Sequence, residues 1–408
     1  MTHLDLFSGI GGFSEGLKRS GIPITKTYFA EIDSHAIAVY KHNFKNSTHV
    51  KSVTDVRGSD LGKVDIITFG SPCQDFSLAG KREGLNGGRI SLILEAIRLV
   101  RECRPSVFIW ENVKGTFSSN NREDFAAILQ AFANLGIYRL EWQLLNTKWF
   151  LPQNRERVYL VGYLGGGSGP QVFPISEGSG QTNELQRQQG NICTLTTRYG
   201  ADGNGSYIIE RKQHAQEIQI TDKRGNIKAD QQNMPTIVAG YYKLPSDSPY
   251  IEYEAGTLRT HKDGRGFRGI KDGDSPTIPA RARQDGSGQP VVRIKTNNKK
   301  GYEDVMDGDS LNYTNPASKT RRGRVGKGVA QTLDTGCEQA VAKSENIRRL
   351  TPIECERLQG FDDNWTRYGD YDGVVKEVSD TQRYKMCGNA VTVDVVQAVA
   401  NKIHALLK

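Results

Sequence analysis

The 408-residue sequence lacks a long hydrophobic run, since no stretch approaches the ~18 apolar residues of a membrane span. Its start, MTHLDLFSGIGG, also lacks the basic residues and apolar core of a secretory signal. These absences predict a soluble protein of the cytoplasm or of an equivalent reducing compartment, with no membrane partner.

Cysteine is scarce and scattered. The six cysteines form no CxxC pair and have no histidine at metal-ligand spacing; they are Cys73, Cys103, Cys193, Cys337, Cys355 and Cys387. This distribution indicates neither a disulfide framework nor a metal site. Most of these thiols are expected to be small apolar residues of the core.

Acidic residues are outnumbered by basic ones, and the formal net charge is +8 with a pI near 9.0. Such a balance favours a polyanionic partner without identifying one, because many basic proteins bind no nucleic acid.

Up to about residue 163, short apolar runs alternate with amphipathic stretches. The runs that predict strands are 3–7, 25–31, 64–69, 106–110 and 157–163. Apolar residues recur at helical spacing between them, at Ile93, Ile97 and Val100 and at Phe125, Ile128, Leu129 and Phe132. This alternation predicts a doubly wound α/β domain around a parallel sheet. The length allows two lobes, or one lobe with an insertion.

From 165 to 346, Gly, Ser, Asp, Thr and Asn dominate and no helical period is found. A weak repeat begins at 194 (TLTT), 236 (TIVA), 257 (TLRT), 277 (TIPA) and 332 (TLDT). It predicts short β segments with turns, although chance recurrence in a Thr/Gly-rich segment is the alternative. Basic stretches lie between the repeats and are candidates for phosphate contacts or for an ordinary solvated surface.

Regular structure is predicted again after residue 347. In RRLTPIECERLQGF, Thr351 is a candidate N-cap, Pro352 suits the first helical position and Glu354 completes a capping box. In the final stretch, Val395, Val396, Val399, Ile403 and Leu406 share one helix face and need a core, which we expect the first lobe to supply.

DLFSGIGGF places three glycines directly after the first strand, with the spacing Gly9-x-Gly11-Gly12. Such a turn lets backbone approach a ligand and points helix N–H groups at it. Ser14 stands where the dinucleotide fingerprint needs a glycine, so a nucleotide-like cofactor is predicted rather than a pyrophosphate. Glu31, at the end of the second strand, can accept hydrogen bonds from ribose hydroxyls, and Asp55 one from an adenine amino group.

Cys73 in GSPCQDFS and Glu111 in ENV also follow apolar strands. Ligands gather at the carboxyl ends of strands in open α/β sheets, so these two groups are expected in the same crevice as Gly9 and Glu31. The thiol is a candidate nucleophile and the carboxyl group a partner for a substrate nitrogen. Arg155 and Arg157 of QNRER lie two residues apart at a predicted strand start and hence on the same face, where they are candidates to hold an oxygen or a phosphate.

Together these motifs resemble the DNA (cytosine-5) methyltransferases of bacteria and phages. DLFSGIGGF resembles the first family motif, GSPCQDFS the catalytic proline-cysteine motif, ENV and QNRER the sixth and eighth, and RLTPIECERLQGF and GNAV the ninth and tenth. The resemblance covers about residues 1–164 and 347–408. GNAV departs from the usual Gly-Asn-Ser-Val at Ala390, which lacks the serine hydroxyl group.

The resemblance implies S-adenosylmethionine as the cofactor and assigns three sets of residues. The catalytic set is Pro72, Cys73, Glu111, Arg155 and Arg157. The cofactor set is Phe7, Gly9, Ile10, Gly11, Gly12, Glu31, Ile32, Asp55, Val56, Leu92, Asn389 and Val391. The DNA-binding set is Ser77, Arg89, Gln153, Arg198, Arg259, Arg281, Arg321 and Arg322.

The implied reaction begins when the Cys73 thiolate adds to C6 of a flipped-out cytosine, while Glu111 pairs with N3 and the exocyclic amine and Arg157 holds O2. A loop at 77–89 is expected to close over the base. The implied organisation is a catalytic domain (1–164), a mostly β target recognition domain (165–346), a connecting segment (347–386) and a C-terminal helix (387–408). Duplex DNA is the expected partner of a monomer in the cytoplasm; a cognate restriction endonuclease fits, but no stable protein partner is required.

Three alternatives are weaker. An RNA cytosine methyltransferase would have a shorter recognition segment, and an NAD-dependent oxidoreductase would need the third fingerprint glycine. A DNA-binding protein without activity would be expected to lose Cys73 or Glu111, and the sequence keeps both.

Overall fold

A computed structural model describes thirteen stretches of the chain: 1–71, 91–118, 123–136, 138–164, 171–176, 253–261, 264–269, 290–296, 300–306, 308–312, 324–337, 339–343 and 346–407. The chain divides into two compact units. Unit 1 contains residues 1–184, 329–339 and 349–408, and unit 2 contains residues 185–328 and 340–348.

Unit 1 is built on a seven-stranded sheet with the order β3-β2-β1-β4-β5-β7-β6. Its strands are β1 (Thr2–Leu6), β2 (Lys26–Ala30), β3 (Ser47–His49), β4 (Ile66–Gly70), β5 (Val107–Val113), β6 (Tyr138–Asn146) and β7 (Glu156–Leu164). The first five are parallel, whereas β7 runs antiparallel to β5 and β6. The predicted α/β fold is confirmed, but the prediction that the fifth run joins a parallel sheet is wrong. The sequence interpretation also missed β3 and β6.

Helices cover both faces of this sheet. They are α1 (Gly12–Arg19), α2 (Ser34–Asn43), α3 (Ser91–Cys103), α4 (Lys114–Ser118), α5 (Glu123–Ala133), α6 (Pro352–Leu358), α7 (Asp380–Asn389) and α8 (Val393–Leu406). One core cluster joins α3 and α5 to the sheet through residues such as Leu99, Phe108 and Phe132, and another joins α1 and α8 through Leu17 and Val396.

The C-terminal helix packs as its sequence pattern predicts. Val395, Val396, Val399 and Ile403 are buried in the cluster that also contains α1 residues. The Thr351 N-cap is confirmed too, because its Oγ1 accepts a hydrogen bond from the N–H of Glu354 at 3.3 Å and the Glu354 carboxylate accepts one from the N–H of Thr351 at 2.8 Å. A hairpin of β16 (Tyr368–Tyr371) and β17 (Val374–Glu377) lies between α6 and α7 in the chain.

Two four-stranded sheets lie largely in unit 2. The first has the order β11-β10-β8-β9 and contains β8 (Tyr253–His261), β9 (Gly264–Gly269), β10 (Pro290–Lys295) and β11 (Tyr302–Val305), all paired antiparallel. The second has the order β13-β12-β14-β15 and contains β12 (Ser310–Asn312), β13 (Val325–Gly326), β14 (Gln339–Lys343) and β15 (Asn346–Arg349).

The two Thr-rich repeats within the described residues differ in secondary structure. TLRT lies within β8, whereas TLDT lies in a non-helical, non-strand segment of unit 1. The repeats at 194, 236 and 277 lie outside the described residues. Within the described stretches, no helix is long and apolar enough to cross a membrane.

Candidate functional site

The carboxyl ends of four parallel strands meet at one edge of the unit 1 sheet. Leu6 pairs with Ala30 and Phe69 in register, and Gly70 pairs with Glu111. The glycine turn, Glu31 and Glu111 therefore follow or end neighbouring strands at the same edge. This is where an open α/β sheet binds its ligands.

The turn after β1 is held by the carboxylate of Glu31. Oε2 of Glu31 accepts a hydrogen bond from the N–H of Gly9 at 2.9 Å, and Oε1 accepts from the N–H groups of Ile32 and Asp33 at 2.8 and 3.0 Å. A carboxylate has about four acceptor positions, so Oε2 keeps one for a ligand hydroxyl. Glu31 thus shapes the turn and can still receive a ribose.

The three glycines of the turn have different reasons to be glycine. Gly9 has a φ of +52°, and a Cβ there would meet nothing within 4 Å, so its outer side is open. Gly11 has a φ of +88° at the N-cap of α1, a conformation that favours glycine. A Cβ on Gly12 would lie 2.6 Å from Cγ2 and 2.9 Å from the carbonyl oxygen of Val391, so this glycine allows a close packing contact.

The side chains predicted to bind the cofactor differ in their exposure to solvent. Ile32 is 80% exposed, and Asp55 and Asn389 are exposed as well, while Phe7, Leu92 and Val391 are half-buried. Ile10 and Val56 cannot contact a ligand through their side chains, because both side chains are buried in the core. For these two, only backbone atoms are available to a ligand. The carbonyl of Ile10 is itself engaged, since it accepts the indole N–H of Trp365 at 3.0 Å.

Glu111 and Arg157 form an ion pair across β5 and β7. Because the strands are antiparallel, the start of β7 lies beside the end of β5, and Arg157 pairs in register with Val113. Nε of Arg157 lies 3.0 Å from Oε1 of Glu111, and the two side chains are 14% and 10% exposed. A Cβ on Gly70 would lie 3.1 Å from Oε2 of Glu111, so the glycine before the proline-cysteine motif leaves room for this carboxylate.

The segment that leads to the predicted nucleophile is anchored at Ser71. Nδ2 of Asn112 donates to the carbonyl of Ser71 at 3.0 Å, and Nε1 of Trp110 donates to its Oγ at 3.1 Å. Sequence reasoning did not single out these anchors, although Asn112 belongs to the ENV motif. Eight predicted site residues lie outside the described stretches: Pro72, Cys73, Ser77, Arg89, Arg198, Arg281, Arg321 and Arg322. Arg259 belongs to β8.

Two predictions in QNRER need correction. Arg155 does not share a face with Arg157: its guanidinium is buried and donates to backbone carbonyls, including that of Ala390 at 2.8 Å. The chain is not yet in β7 at residue 155, so strand alternation does not apply there. Gln153, predicted to contact DNA, is fully buried in a β-bridge with Ala330 and has no surface to offer a duplex.

A buried polar network beneath the glycine turn was missed by the sequence interpretation. The Asp5 carboxylate accepts hydrogen bonds from Thr68 Oγ1 at 2.9 Å and Ser14 Oγ at 3.0 Å, and His3 Nε2 lies 2.7 Å from Thr68 Oγ1. Burial raises the pKa of Asp5 to about 7 and lowers the pKa of His3 to about 3. The available signal was the pair of polar residues at alternate positions in the otherwise apolar strand HLDLF.

The family model described as C-5 cytosine-specific DNA methylase matches residues 1–405. Among curated proteins, the orphan methyltransferase M.SPRI of Bacillus phage SPR is 27% identical over 437 aligned positions, which cover 98% of this chain and 96% of M.SPRI. The type II methyltransferase M.HgiCI of Herpetosiphon aurantiacus is 29% identical, with 98% of this chain and 96% of that protein covered.

A solved structure is similar over the whole chain. It is the crystal structure of a protein described as a DNA modification methyltransferase encoded within a prophage (E. coli), with a TM-score of 0.51, 21% identity, and coverage of 100% of this chain and 99% of that one. This likeness supports the methyltransferase-like α/β fold of the chain.

Proposed function

Because the chain belongs to the C-5 cytosine-specific DNA methylase family, we propose that it methylates C5 of a flipped-out cytosine in duplex DNA through a covalent adduct between Cys73 and C6. The family itself makes the chain an S-adenosylmethionine-dependent DNA cytosine methyltransferase. The adduct, the base flipping and the roles of individual residues are the parts that we propose.

The Glu111–Arg157 pair is the observation that carries the proposal. Its carboxylate and guanidinium lie 3.0 Å apart at the sheet edge, next to the segment that leads to Cys73. The edge of cytosine carries an amine donor at N4 and an acceptor at O2. The Glu111 carboxyl group can accept from the N4 amine and, in its protonated form, donate to N3, while the guanidinium donates to O2, so the pair matches that edge.

The residues at the glycine turn fit S-adenosylmethionine. Gly9 leaves its outer side open, Glu31 retains an acceptor position for a ribose hydroxyl, and the exposed side chain of Ile32 offers an apolar surface for an adenine. We propose that Asp55, Leu92, Asn389 and Val391 complete the binding site. When bound there, the cofactor supplies an electrophilic methyl group.

The residues of the chain make C5 reactive. C5 of cytosine is a poor nucleophile within an aromatic ring, so the Cys73 thiolate adds to C6, forms an S–C6 bond and moves an electron pair toward C5. Proton donation from the Glu111 carboxyl group to N3 offsets the negative charge that develops there, and Arg157 donates to O2. Once C5 has gained its methyl group, a base removes the C5 proton and the electron pair of that C–H bond expels the thiolate.

Base flipping is proposed because of where the reacting atoms lie in duplex DNA. C5 and C6 are inaccessible within a stacked duplex, so the cytosine has to leave the helix at a cost of a few kcal/mol. We propose that unit 2 supplies target recognition, with its antiparallel strands and basic stretches contacting the duplex. Removal of residues 255–330 should then relax sequence discrimination while S-adenosylmethionine binding persists; unchanged site preference in bisulfite sequencing would contradict this assignment.

Trapping on 5-fluorocytosine tests the chemistry directly. Fluorine at C5 cannot leave as a proton, so the adduct should persist as a complex that survives denaturing electrophoresis. We expect trapping on fluorinated duplex DNA with the wild type and with Cys103→Ser, and none with Cys73→Ser. Cys103, half-buried on α3, controls for thiol loss in general.

Two outcomes would contradict the proposal. Trapping by Cys73→Ser would remove the thiol from the mechanism. Tritiated methyl transfer to tRNA but not to duplex DNA would show that the substrate is RNA.

A further inference from the structure

Arg155 and Arg157 are two residues apart, yet their guanidinium groups point to different parts of unit 1. Arg157 reaches Glu111 at the base-facing edge. Arg155 is 3% exposed, and its Nη2 donates to the carbonyl of Ala390 at 2.8 Å. Both of its terminal nitrogens also lie 3.4 Å from the carbonyl of Gly388.

These carbonyls belong to the end of helix α7 and the segment after it. Gly388 is in the last turn of α7, where carbonyl groups lack helical partners and the helix dipole is negative. A buried cation at this position satisfies the carbonyls, and they offset the cost of burying its charge. The interaction therefore fixes the path of residues 388–390.

A second backbone segment meets the same guanidinium. Nη1 of Arg155 lies 3.4 Å from the carbonyl of Leu333. The two segments are packed tightly, because a Cβ on Gly388 would lie 2.4 Å from the carbonyl oxygen of Asp334. Arg155 thus joins residues 333 and 388–390 to the start of β7.

Val391 connects the segment that Arg155 holds to the glycine turn. This residue follows Ala390 directly, and its side chain and carbonyl lie against Gly12, where a Cβ would come within 2.6 Å of Cγ2. A shift of the Ala390 carbonyl would move Val391 away from the turn that we propose binds the cofactor. The Arg155 contacts therefore control the position of one wall of that site.

We propose that Arg155 is a positioning residue for S-adenosylmethionine binding, and that it acts by holding residues 388–391 against the glycine turn rather than by touching the base. This inference rests on the proposed cofactor site. It assigns the two arginines of QNRER to the two reactants, with Arg157 serving the cytosine and Arg155 the methyl donor.

Calorimetric titration with S-adenosylhomocysteine tests this assignment. In Arg155→Lys, a single ammonium replaces the planar group that reaches three carbonyls. We expect its affinity for S-adenosylhomocysteine to fall about 10-fold or more, as for the loss of charge-assisted hydrogen bonds. In steady-state assays, the KM for S-adenosylmethionine should rise by a larger factor than kcat falls, and the KM for DNA should change little.

Arg383→Lys is the matched control. Arg383 is also buried and lies on α7, but it donates to the side chains of Thr366 and Glu356, at 3.1 and 2.9 Å, rather than to the carbonyls of residues 388–390. It should lower the Tm and leave the affinity for S-adenosylhomocysteine within about twofold of the wild type. If both variants weaken binding equally, Arg155 contributes only to general stability and the inference is overturned.

Further outcomes separate the inference from the proposed function. A fall in kcat with unchanged cofactor affinity in Arg155→Lys would indicate that Arg155 acts on the cytosine, and it would overturn the inference. Failure of the wild type to bind S-adenosylhomocysteine would overturn the proposed cofactor site as well. Should Arg155→Lys not fold, hydrogen exchange of the wild type decides: the bound ligand should slow exchange at 386–392 and at 331–335, and an unaffected 331–335 would contradict the link through Arg155.

Discussion

Nε of Arg157 lies 3.0 Å from Oε1 of Glu111, across two antiparallel strands of an otherwise mostly parallel sheet. The reversal of β7 produces this contact, because it brings the first residues of one strand to the last residues of its neighbour. A parallel β7 would have placed the arginine at the opposite end of the sheet.

Glu111→Gln should retain the shape of the side chain and lose its charge. We expect kcat to fall about 100-fold or more, since the amide has no acidic proton to give to N3 as negative charge develops on the cytosine ring. Binding of S-adenosylhomocysteine should be unchanged. Glu156→Gln is the control, because Glu156 pairs with Lys114 at 2.8 Å and should affect kcat little. Near-normal turnover in Glu111→Gln would remove this carboxylate from the mechanism.

Gly12→Ala should weaken both folding and cofactor binding. The added Cβ would lie 2.6 Å from Cγ2 and 2.9 Å from the carbonyl oxygen of Val391, so we expect a loss of about 1–3 kcal/mol in the free energy of unfolding and weaker binding of S-adenosylhomocysteine. Gly16→Ala, one turn further along α1, would meet Cγ1 of Val396 at 2.5 Å. It should cost similar stability without the binding defect, and equal binding by the two variants would refute a special role for the contact with Val391.

Asp5→Asn should change how stability depends on pH. Burial raises the pKa of Asp5 from 3.8 to about 7, so between about pH 4 and 7 the unfolded chain releases a proton that the native state keeps. This group therefore lowers the free energy of unfolding as the pH rises, by up to roughly 4 kcal/mol across that window. Burial lowers the pKa of His3 from 6.5 to about 3, which has the opposite effect between pH 3 and 6.5.

The two slopes offset each other in the wild type, so removing the Asp5 carboxyl should leave the His3 slope. Urea denaturation at pH 4.5 and 6.5 should show a larger gain of stability with rising pH in Asp5→Asn than in the wild type. Asp65→Asn is the comparison. The pKa of Asp65 lies below its usual value of 3.8, because the N–H of Thr2 and the ammonium of Lys63 together outweigh the effect of burial, which acts to raise it. Asp65 therefore titrates below this window. The same pH dependence in Asp5→Asn and the wild type would count against the raised pKa.

Thr351→Ala should remove the N-cap of α6. The Thr351 hydroxyl accepts the N–H of Glu354 at 3.3 Å, and its loss should cost about 0.5–2 kcal/mol in the free energy of unfolding. Thr351→Ser keeps the acceptor and should recover most of that loss. The measurement is the midpoint of urea denaturation, and equal midpoints for the Ala and Ser variants would show that the cap contributes nothing.

The sequence predicted the parts of the fold that depend on local pattern. Buried strands, the capped helix at Thr351 and the apolar face of α8 each follow from the order of residues within one element. The direction of β7 did not follow, because parallel and antiparallel strands with both faces buried have the same apolar pattern. β6 was missed for a related reason, since YRLEWQLLN mixes polar and apolar residues without strict alternation.

Some residues of the candidate site could likewise be predicted from local sequence, and others could not. Gly9, Glu31 and Glu111 could be grouped from sequence because each follows or ends a strand, and strand ends meet. Arg155 could not be placed, because its partners are backbone carbonyls near residues 333 and 389, and carbonyls carry no sequence signal. The network around Asp5 requires residues from β1, β4, α1 and α2 to meet in space, which no local pattern reports.

The glycine turn also depends on residues that the ribosome adds late. The indole of Trp365 bonds to the carbonyl of Ile10 from 355 residues away, and Val391 packs on Gly12. A nascent chain therefore carries its first motif without the contacts that shape it until synthesis has passed these residues, and folding has to close a very long loop. Translation that stops before Trp365 would release a chain that contains Cys73 but lacks two of the contacts that shape the glycine turn, so the proposed cofactor site would depend on residues more than 350 positions after its first motif.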